Sequence, residues 1–132
     1  MHAARRFRPL VLVAALALTA GCQAQGSAGG DASQAEVLAS IESKQPPLLL
    51  DVRTPEEYAS GHVPGALNIP IDELPARIGE ISAQREQPVV VYCERGPRAA
   101  RAEGELVAAG FTSVRPLAGH MSAWREAGLP IE

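Results

Sequence analysis

Residues 89–98 read VVVYCERGPR, an apolar, β-branched run that ends in a cysteine and is followed at once by a short charged loop. β-branched and aromatic residues favour strands, so the run predicts a central strand with Cys93 at its carboxyl end. Pro97 is well placed as the first residue of a helix, because apolar residues recur after it at spacings of three and four. Ligands of open α/β sheets bind beyond the carboxyl ends of the strands, so Cys93 lies where a site is expected.

The segments around this centre alternate between strand and helix. Short apolar runs at 48–52, 66–69 and 114–117 predict three further strands. Ser33 with Glu36, and Thr54 with Glu57, match the pattern that begins a helix. Helices are predicted at about 34–43, 55–60, 72–87, 97–109 and 122–127. Strands that alternate with helices form a parallel sheet covered on both faces, so the fold class is α/β.

The chain has 132 residues, which is room for one domain of ordinary size. We predict a signal peptide at 1–21, a lipidated Cys22 followed by a flexible tether to residue 32, and a folded domain at 33–132. The tether is predicted because residues 23–31 are mostly small and polar, with little to bury.

The first residues have the pattern of an export signal. A basic stretch containing Arg5, Arg6 and Arg8 precedes an apolar run at 10–18. That run is shorter than the roughly 20 residues that span a bilayer as a helix. Residues 19–22 read TAGC and resemble the lipobox of bacterial lipoproteins, in which the cysteine is lipidated and becomes the new N-terminus. A second interpretation is an ordinary signal peptide in which Cys22 has no role.

The charge of the chain limits its partners. Removal of residues 1–21 takes away three arginines and no acidic residue, so the formal net charge moves from −3 to −6. An acidic chain binds nucleic acid poorly, so no nucleic-acid partner is expected. Membrane attachment would come only from acyl chains on Cys22. We expect a protein on the periplasmic side of the envelope, at the outer membrane of a Gram-negative host because Gln23 rather than aspartate follows Cys22, or otherwise free in the periplasm.

The two cysteines of an exported protein would first suggest a disulfide. Lipidation of Cys22 removes that partner and leaves Cys93 as a single thiol in an oxidising compartment, where a chemically useful thiol is easier to explain than an idle one. A buried, inert cysteine at the end of a core strand is the alternative.

The loop after Cys93 is too short to be relaxed. Its backbone N–H groups are expected to curl around a common centre at the start of a helix, which favours an anion. Arg95 and Arg98, with Arg101 one turn further on, add positive charge that Glu94 opposes. We therefore predict that Cys93 is substantially ionised at neutral pH.

Three segments together resemble the rhodanese family. The first is the loop 92–98, with Tyr92, Cys93, Gly96 and Arg98. The second runs from Asp51 to Pro70 and reads DVRTPEEYASGHVPGALNIP, which is similar to the N-terminal signature of the family. The third is LAGHMSAW at 117–124, which is similar to its C-terminal signature. The resemblance implies a five-stranded parallel sheet with helices on both faces.

The resemblance also implies a sulfurtransferase that works through a persulfide on Cys93. The sulfur donor would be a small molecule such as thiosulfate, and the acceptor a thiol, a protein thiol or cyanide. Arg95 and Arg98 would hold the sulfonate, and the loop 93–98, including Glu94, Gly96 and Pro97, would surround the sulfur. Pro97 has no N–H, so the loop has one donor fewer than a loop without proline. No cofactor is implied, and we expect a monomer.

Two other functions remain open. One is a non-catalytic persulfide carrier or redox-sensing module. The other is an oxyanion enzyme, a phosphatase or an arsenate reductase, on the same fold. Those relatives use a seven-residue loop, whereas Cys93 to Arg98 is six residues, the length seen in sulfurtransferases, so sulfur transfer is preferred.

Several other polar residues have structural interpretations that we favour. Asp51 and Arg53 form a charge pair at the end of a strand, Glu57 caps a helix, and His62 is a structural histidine near the site. His120 stands where the family usually has a second glycine; it either brings an imidazole to the pocket mouth or, as we favour, faces solvent. Trp124 is expected in the core. The three histidines are scattered and give no metal-ligand spacing, so no metal is predicted.

Overall fold

The computed structural model of the protein describes residues 29–132. The predicted signal peptide, Cys22 and the tether as far as residue 28 lie outside the described residues. The elements follow the predicted alternation. The strands are β1 (Leu48–Asp51), β2 (Leu67–Asn68), β3 (Val89–Tyr92) and β4 (Val114–Pro116). The helices are α1 (Gln34–Ile41), α2 (Pro55–Ala59), α3 (Leu74–Arg77) with a 3₁₀ helix at Ile78–Gln84, α4 (Pro97–Ala108) and α5 (His120–Glu126).

The sheet is parallel throughout, with the strand order β2-β1-β3-β4. The α/β class is therefore confirmed. The resemblance implies five strands, whereas the described residues form four. At the fifth position a single residue, Ala32, bridges Leu117 next to β4 through bonds of 2.8 Å from its N–H to Pro116 O and to its carbonyl from Ala118 N–H. The pairing stops there because Ser33, which follows, is already the N-cap of α1. Ala32 is buried, so the sheet begins one residue before the predicted domain boundary.

Two helices begin with the capping pattern seen in the sequence. The Ser33 hydroxyl accepts from the Glu36 N–H, and the Glu36 carboxylate accepts from the Ser33 N–H. Thr54 and Glu57 form the same reciprocal pair at the start of α2. The long helix predicted at 72–87 is instead α3 and a 3₁₀ helix, since Gly79 and Ser82 are weak α-helix formers.

The two central strands, β1 and β3, are buried on both faces. On one face Leu50, Val89 and Val91 pack with helix residues such as Leu106. On the other, Val90 and Tyr92 belong to the cluster that contains Trp124. Trp124 is fully buried and donates its ring N–H to Pro130 O at 2.8 Å, which confirms its place in the core. The helices between residues 29 and 132 are all too short or too polar to cross a membrane.

Candidate active site

Cys93 lies at the carboxyl end of β3, as predicted, where the chain leaves the sheet and enters α4. Its side chain is packed into the core cluster on the α4 side of the sheet, and the residue is only 1 % exposed. The Gly96 N–H points back at the sulfur, with 3.0 Å between the nitrogen and Sγ. Cys93 is thus as buried as the inert-thiol alternative requires, yet it accepts a hydrogen bond from its own loop.

Gly96 makes this contact possible. Its φ is +128°, a backbone conformation that residues with a side chain rarely adopt. The sequence predicted several amides around the sulfur; within residues 29–132 the Gly96 N–H is the one that bonds to it. Pro97, the next residue, has no N–H to offer. The sulfur therefore receives fewer backbone N–H groups than the sequence suggested.

Arg98 is held by Glu57. Its two terminal nitrogens lie 2.7 and 3.0 Å from the two carboxylate oxygens. This bidentate pair lowers the pKa of Glu57 to about 2, with help from the cap at Thr54. The hydrogen bond to Glu57 also raises the pKa of Arg98, and the negative charge of Glu57 adds to that rise. Glu57 therefore does more than cap α2: it fixes the guanidinium at the start of α4.

The other loop charges have different partners. The carboxylate of Glu94 lies 3.5 Å from Arg53 and also forms a close ion pair with Arg125 on α5. Arg101 is paired with Glu105 at 3.0 Å and with Asp72 at 3.3 Å. Arg95 is exposed and has no hydrogen-bond or ion-pair partner in the part of the chain that the structure covers.

Asp51 and Arg53 form the charge pair that the sequence suggested. Both are buried, and Arg53 binds the carboxylate of Asp51 through Nε at 3.0 Å and Nη2 at 2.7 Å. Burial is the largest single effect and lowers the pKa of Arg53, but the hydrogen bonds to Asp51 and its charge, with smaller contributions from Tyr92 and Glu94, together raise the pKa. Arg53 also donates to Gly61 O at 2.8 Å, so the pair connects the end of β1 to the turn after α2.

His62 and His120 differ in their surroundings. His62 stacks on the Tyr58 ring at 3.6 Å, and its Nδ1 lies 2.9 Å from Tyr58 O, a structural role. His120 is half-buried, and its Nδ1 accepts from the Cys93 N–H at 3.3 Å. The solvent-facing placement that we favoured for His120 is therefore wrong. Burial lowers the pKa of His120, and Asp31 opposes that shift.

The start of α5 also holds the loop. The Met121 N–H donates to Cys93 O at 3.0 Å, and the Ser122 N–H donates to Glu94 O at 3.1 Å. Nothing in the sequence pattern indicated these bonds, because they join segments that are far apart in the chain. Among residues 29–132, no three or more His, Cys, Asp or Glu side chains come together as a metal site.

The chain has clear relatives. Residues 33–127 match the family model of the rhodanese-like domain. A sulfurtransferase of Allochromatium vinosum is 43 % identical over 84 residues, which is 64 % of this chain and 77 % of that protein. Thiosulfate sulfurtransferase 16, a chloroplast protein of Arabidopsis thaliana, is 38 % identical over 93 residues, covering 63 % of this chain and 78 % of the relative.

A solved structure has the same fold. The crystal structure of a thiosulfate sulfurtransferase from Pseudomonas aeruginosa superposes with a TM-score of 0.71 at 28 % identity, over 77 % of this chain and 19 % of that one.

Substitution of Gly96 should disrupt the site. A Cβ at Gly96 would need a φ of +128° and would stand 3.2 Å from His120 Nε2. We expect Gly96→Ala to lower the free energy of unfolding by about 1–3 kcal/mol, the usual cost of a strained backbone conformation, as measured by urea unfolding. Gly104→Ala is the matched control, since Gly104 lies within α4 with open space around it. It should raise stability by about 0.5–1 kcal/mol. Equal stabilities for the two variants would contradict this assignment.

Proposed function

We propose that this protein is a sulfurtransferase that carries sulfane sulfur as a persulfide on Cys93, because the chain belongs to the rhodanese-like domain family. The observation that carries the proposal is the place of Cys93. It follows the central strand and receives the Gly96 N–H at 3.0 Å, in a six-residue loop that ends in Arg98.

The reaction proceeds in two displacements. The Cys93 thiolate attacks the outer sulfur of thiosulfate; a new S–S bond forms, the old S–S bond breaks, and sulfite leaves with the bonding electron pair. An acceptor thiolate or cyanide then attacks the outer sulfur of the persulfide, and Cys93 leaves as the thiolate. No oxidant or reductant is needed, and no general base is needed when the thiol is already ionised. This is covalent nucleophilic catalysis with ping-pong kinetics.

Several groups direct positive charge or dipoles toward the sulfur. The Gly96 N–H bonds to it, and the amino-terminal end of α4, a helix of 12 residues, begins just after the loop. The paired Arg98 adds a guanidinium that acts on Cys93 through its field. Within residues 29–132, no histidine bonds to the sulfur.

Arg95 is the residue that we assign to the sulfonate of the donor. The resemblance gave this role to Arg95 and Arg98 together. Arg98 is bound by both oxygens of Glu57, so a donor that recruited it would have to compete with that pair. Arg95 is exposed and free to bind an anion, which supports a division of roles between the two arginines.

One observation favours a second candidate. Because Cys93 is 1 % exposed, a donor reaches the sulfur only after the loop moves. Such restricted access would suit a persulfide carrier or redox-sensing module with slow turnover. The oxyanion enzyme has no comparable support, since the loop is one residue shorter than that reaction uses.

The proposal is tested by thiocyanate formation from thiosulfate and cyanide. Wild type should turn over repeatedly, and Cys93→Ser should lose all activity above the uncatalysed reaction, because an alkoxide does not form at neutral pH. A wild type that gains one sulfur by mass spectrometry but turns over slowly would favour the carrier. A wild type that forms sulfenic acid without sulfur uptake would favour the sensor. Hydrolysis of an aryl phosphate that is lost in Cys93→Ser would favour the oxyanion enzyme.

The role of Arg95 is tested by steady-state kinetics. Arg95→Ala should raise the KM for thiosulfate about two- to fivefold, the size of one exposed ion pair, with little change in kcat. Arg101→Ala is the matched control, because that guanidinium is already paired with Glu105 and Asp72. A KM that rises equally in both variants would remove Arg95 from donor binding.

We also propose a location for the protein: it is exported and attached to the periplasmic side of the envelope by acyl chains on Cys22. The support is the basic and apolar pattern of residues 5–18 and the small residues before Cys22. In a Gram-negative host, wild type should fractionate with the outer membrane and incorporate labelled palmitate, and Cys22→Ser should do neither. Unlabelled wild type in the soluble periplasmic fraction would support the ordinary signal peptide instead.

A further inference from the structure

The imidazole of His120 lies beside two residues of the Cys93 loop. On one side its Nδ1 is 3.3 Å from the Cys93 amide nitrogen. On the other, the ring lies against Gly96, where an added Cβ would stand 3.2 Å from Nε2. His120 therefore contacts both Cys93, which carries the sulfur, and Gly96, whose N–H bonds to the sulfur.

We propose that His120 is a positioning residue that holds the Cys93 loop in its reactive geometry, and that it does so only as the neutral imidazole with its hydrogen on Nε2. The inference rests on the proposed function for its effect on sulfur transfer. The contact itself is independent of the reaction.

The position of the hydrogen follows from the contact. The Cys93 backbone N–H can only donate, so Nδ1 must accept and carries no hydrogen. In a neutral imidazole the other nitrogen, Nε2, then carries it. A second proton on Nδ1 would set two N–H groups against each other at 3.3 Å, so the bond to Cys93 exists only while the ring is neutral.

The backbone of His120 indicates what this contact requires. His120 has φ +55°, and no other residue except glycine has a positive φ in the chain from residue 29 onward. Residues with a side chain pay a conformational cost there, and such strain persists where surrounding contacts impose it. The bonds from the Met121 and Ser122 N–H groups to the carbonyls of Cys93 and Glu94 hold the start of α5 against the loop. This placement brings the His120 imidazole within hydrogen-bond distance of the Cys93 N–H.

Burial and the charges around the imidazole determine the pH range in which it is neutral. Burial lowers the pKa of His120 from its ordinary range, and Asp31, ahead of α1, acts in the opposite direction. The other titratable or charged groups on the neighbouring elements are, in chain order, Cys93, Glu94 and Arg95 in the loop, Arg98, Arg101, Glu103 and Glu105 on α4, Arg115 on β4, and Arg125 and Glu126 on α5. A histidine with a lowered pKa stays neutral through neutral pH. The loop contact is therefore present above the ordinary pKa of histidine and is lost as the pH falls through the lowered value.

Three full-length proteins separate this role from simple packing. His120→Gly keeps the positive φ and removes the acceptor. His120→Asn also tolerates that φ, and its side-chain oxygen can take the place of Nδ1 but does not titrate. In single-turnover sulfur uptake from thiosulfate at neutral pH, we expect His120→Gly to be slower than wild type by about three- to tenfold, the worth of one neutral hydrogen bond, and His120→Asn to recover most of that loss. As the pH falls below about 6.5, the ordinary pKa of histidine, wild type should lose uptake in a step that is absent from both variants.

A spectroscopic readout makes the test independent of activity. In ¹⁵N NMR spectra of wild type, the Cys93 amide should shift with pH together with the His120 ring, and the neutral ring should show its hydrogen on Nε2. In His120→Asn the Cys93 amide should lose that titration. His62→Asn is the control, because it removes the other histidine of the described domain and should leave the titration at Cys93 in place.

The outcomes separate the two proposals. If wild type takes up no sulfur but the Cys93 amide titrates with His120, the positioning role stands and the sulfurtransferase proposal fails. If uptake is normal, while His120→Gly matches wild type at neutral pH and keeps the acid step, the positioning role is overturned. If His120→Gly does not fold, the acid step and the amide titration in wild type against His120→Asn decide alone; equal behaviour of those two proteins overturns the proposal.

Discussion

The hydrogen bond between the Gly96 amide and the Cys93 sulfur is the contact on which the site depends. It requires two conditions that the fold supplies separately. β3 is buried on both faces and delivers Cys93 to the carboxyl edge of the sheet. Gly96 then reverses the chain with a φ of +128°, so that its N–H faces the sulfur as α4 begins. A side chain at Gly96 would disturb both the backbone and the imidazole beside it.

Most of the charged residues around this contact form ion pairs with one another. Asp51 and Arg53 are buried as a pair, Glu94 lies between Arg53 and Arg125, and Glu57 holds Arg98 by two bonds. Buried ion pairs contribute little net stability, because the cost of removing charges from water offsets their attraction. These pairs fix position instead: they join the end of β1 to the loop and the loop to α5, and they join α2 to α4. Arg95 is outside this network, which suits a residue that meets a substrate.

The parts of this arrangement that were predictable from sequence are those with a local cause. The capping pairs at Ser33 and Thr54, the buried strand before Cys93 and the helix that begins at Pro97 each follow from neighbouring residues, and the structure confirms them. The burial of Trp124 follows from its size and apolar surface.

The remaining features arise from contacts between distant segments. The distance from Glu57 to Arg98 in the chain is 41 residues, and from Cys93 to His120 it is 27, so no local pattern indicates either contact. The single bridge at Ala32 replaced a full strand because α1 begins at the next residue. The number of amides at the sulfur was overestimated because the direction of each N–H depends on the φ and ψ values of the loop, which composition does not set.

In the proposed reaction, the sulfur of Cys93, held by the loop after β3, forms a bond to a second sulfur. A crystal structure of the protein after exposure to thiosulfate, without an acceptor, tests it most directly. We expect density for one additional atom bonded to Cys93 Sγ, with the Gly96 N–H still directed at the sulfur and Glu57 still bound to Arg98. An unmodified Cys93, sealed in the core after exposure that is long enough to modify a free thiol, would contradict it.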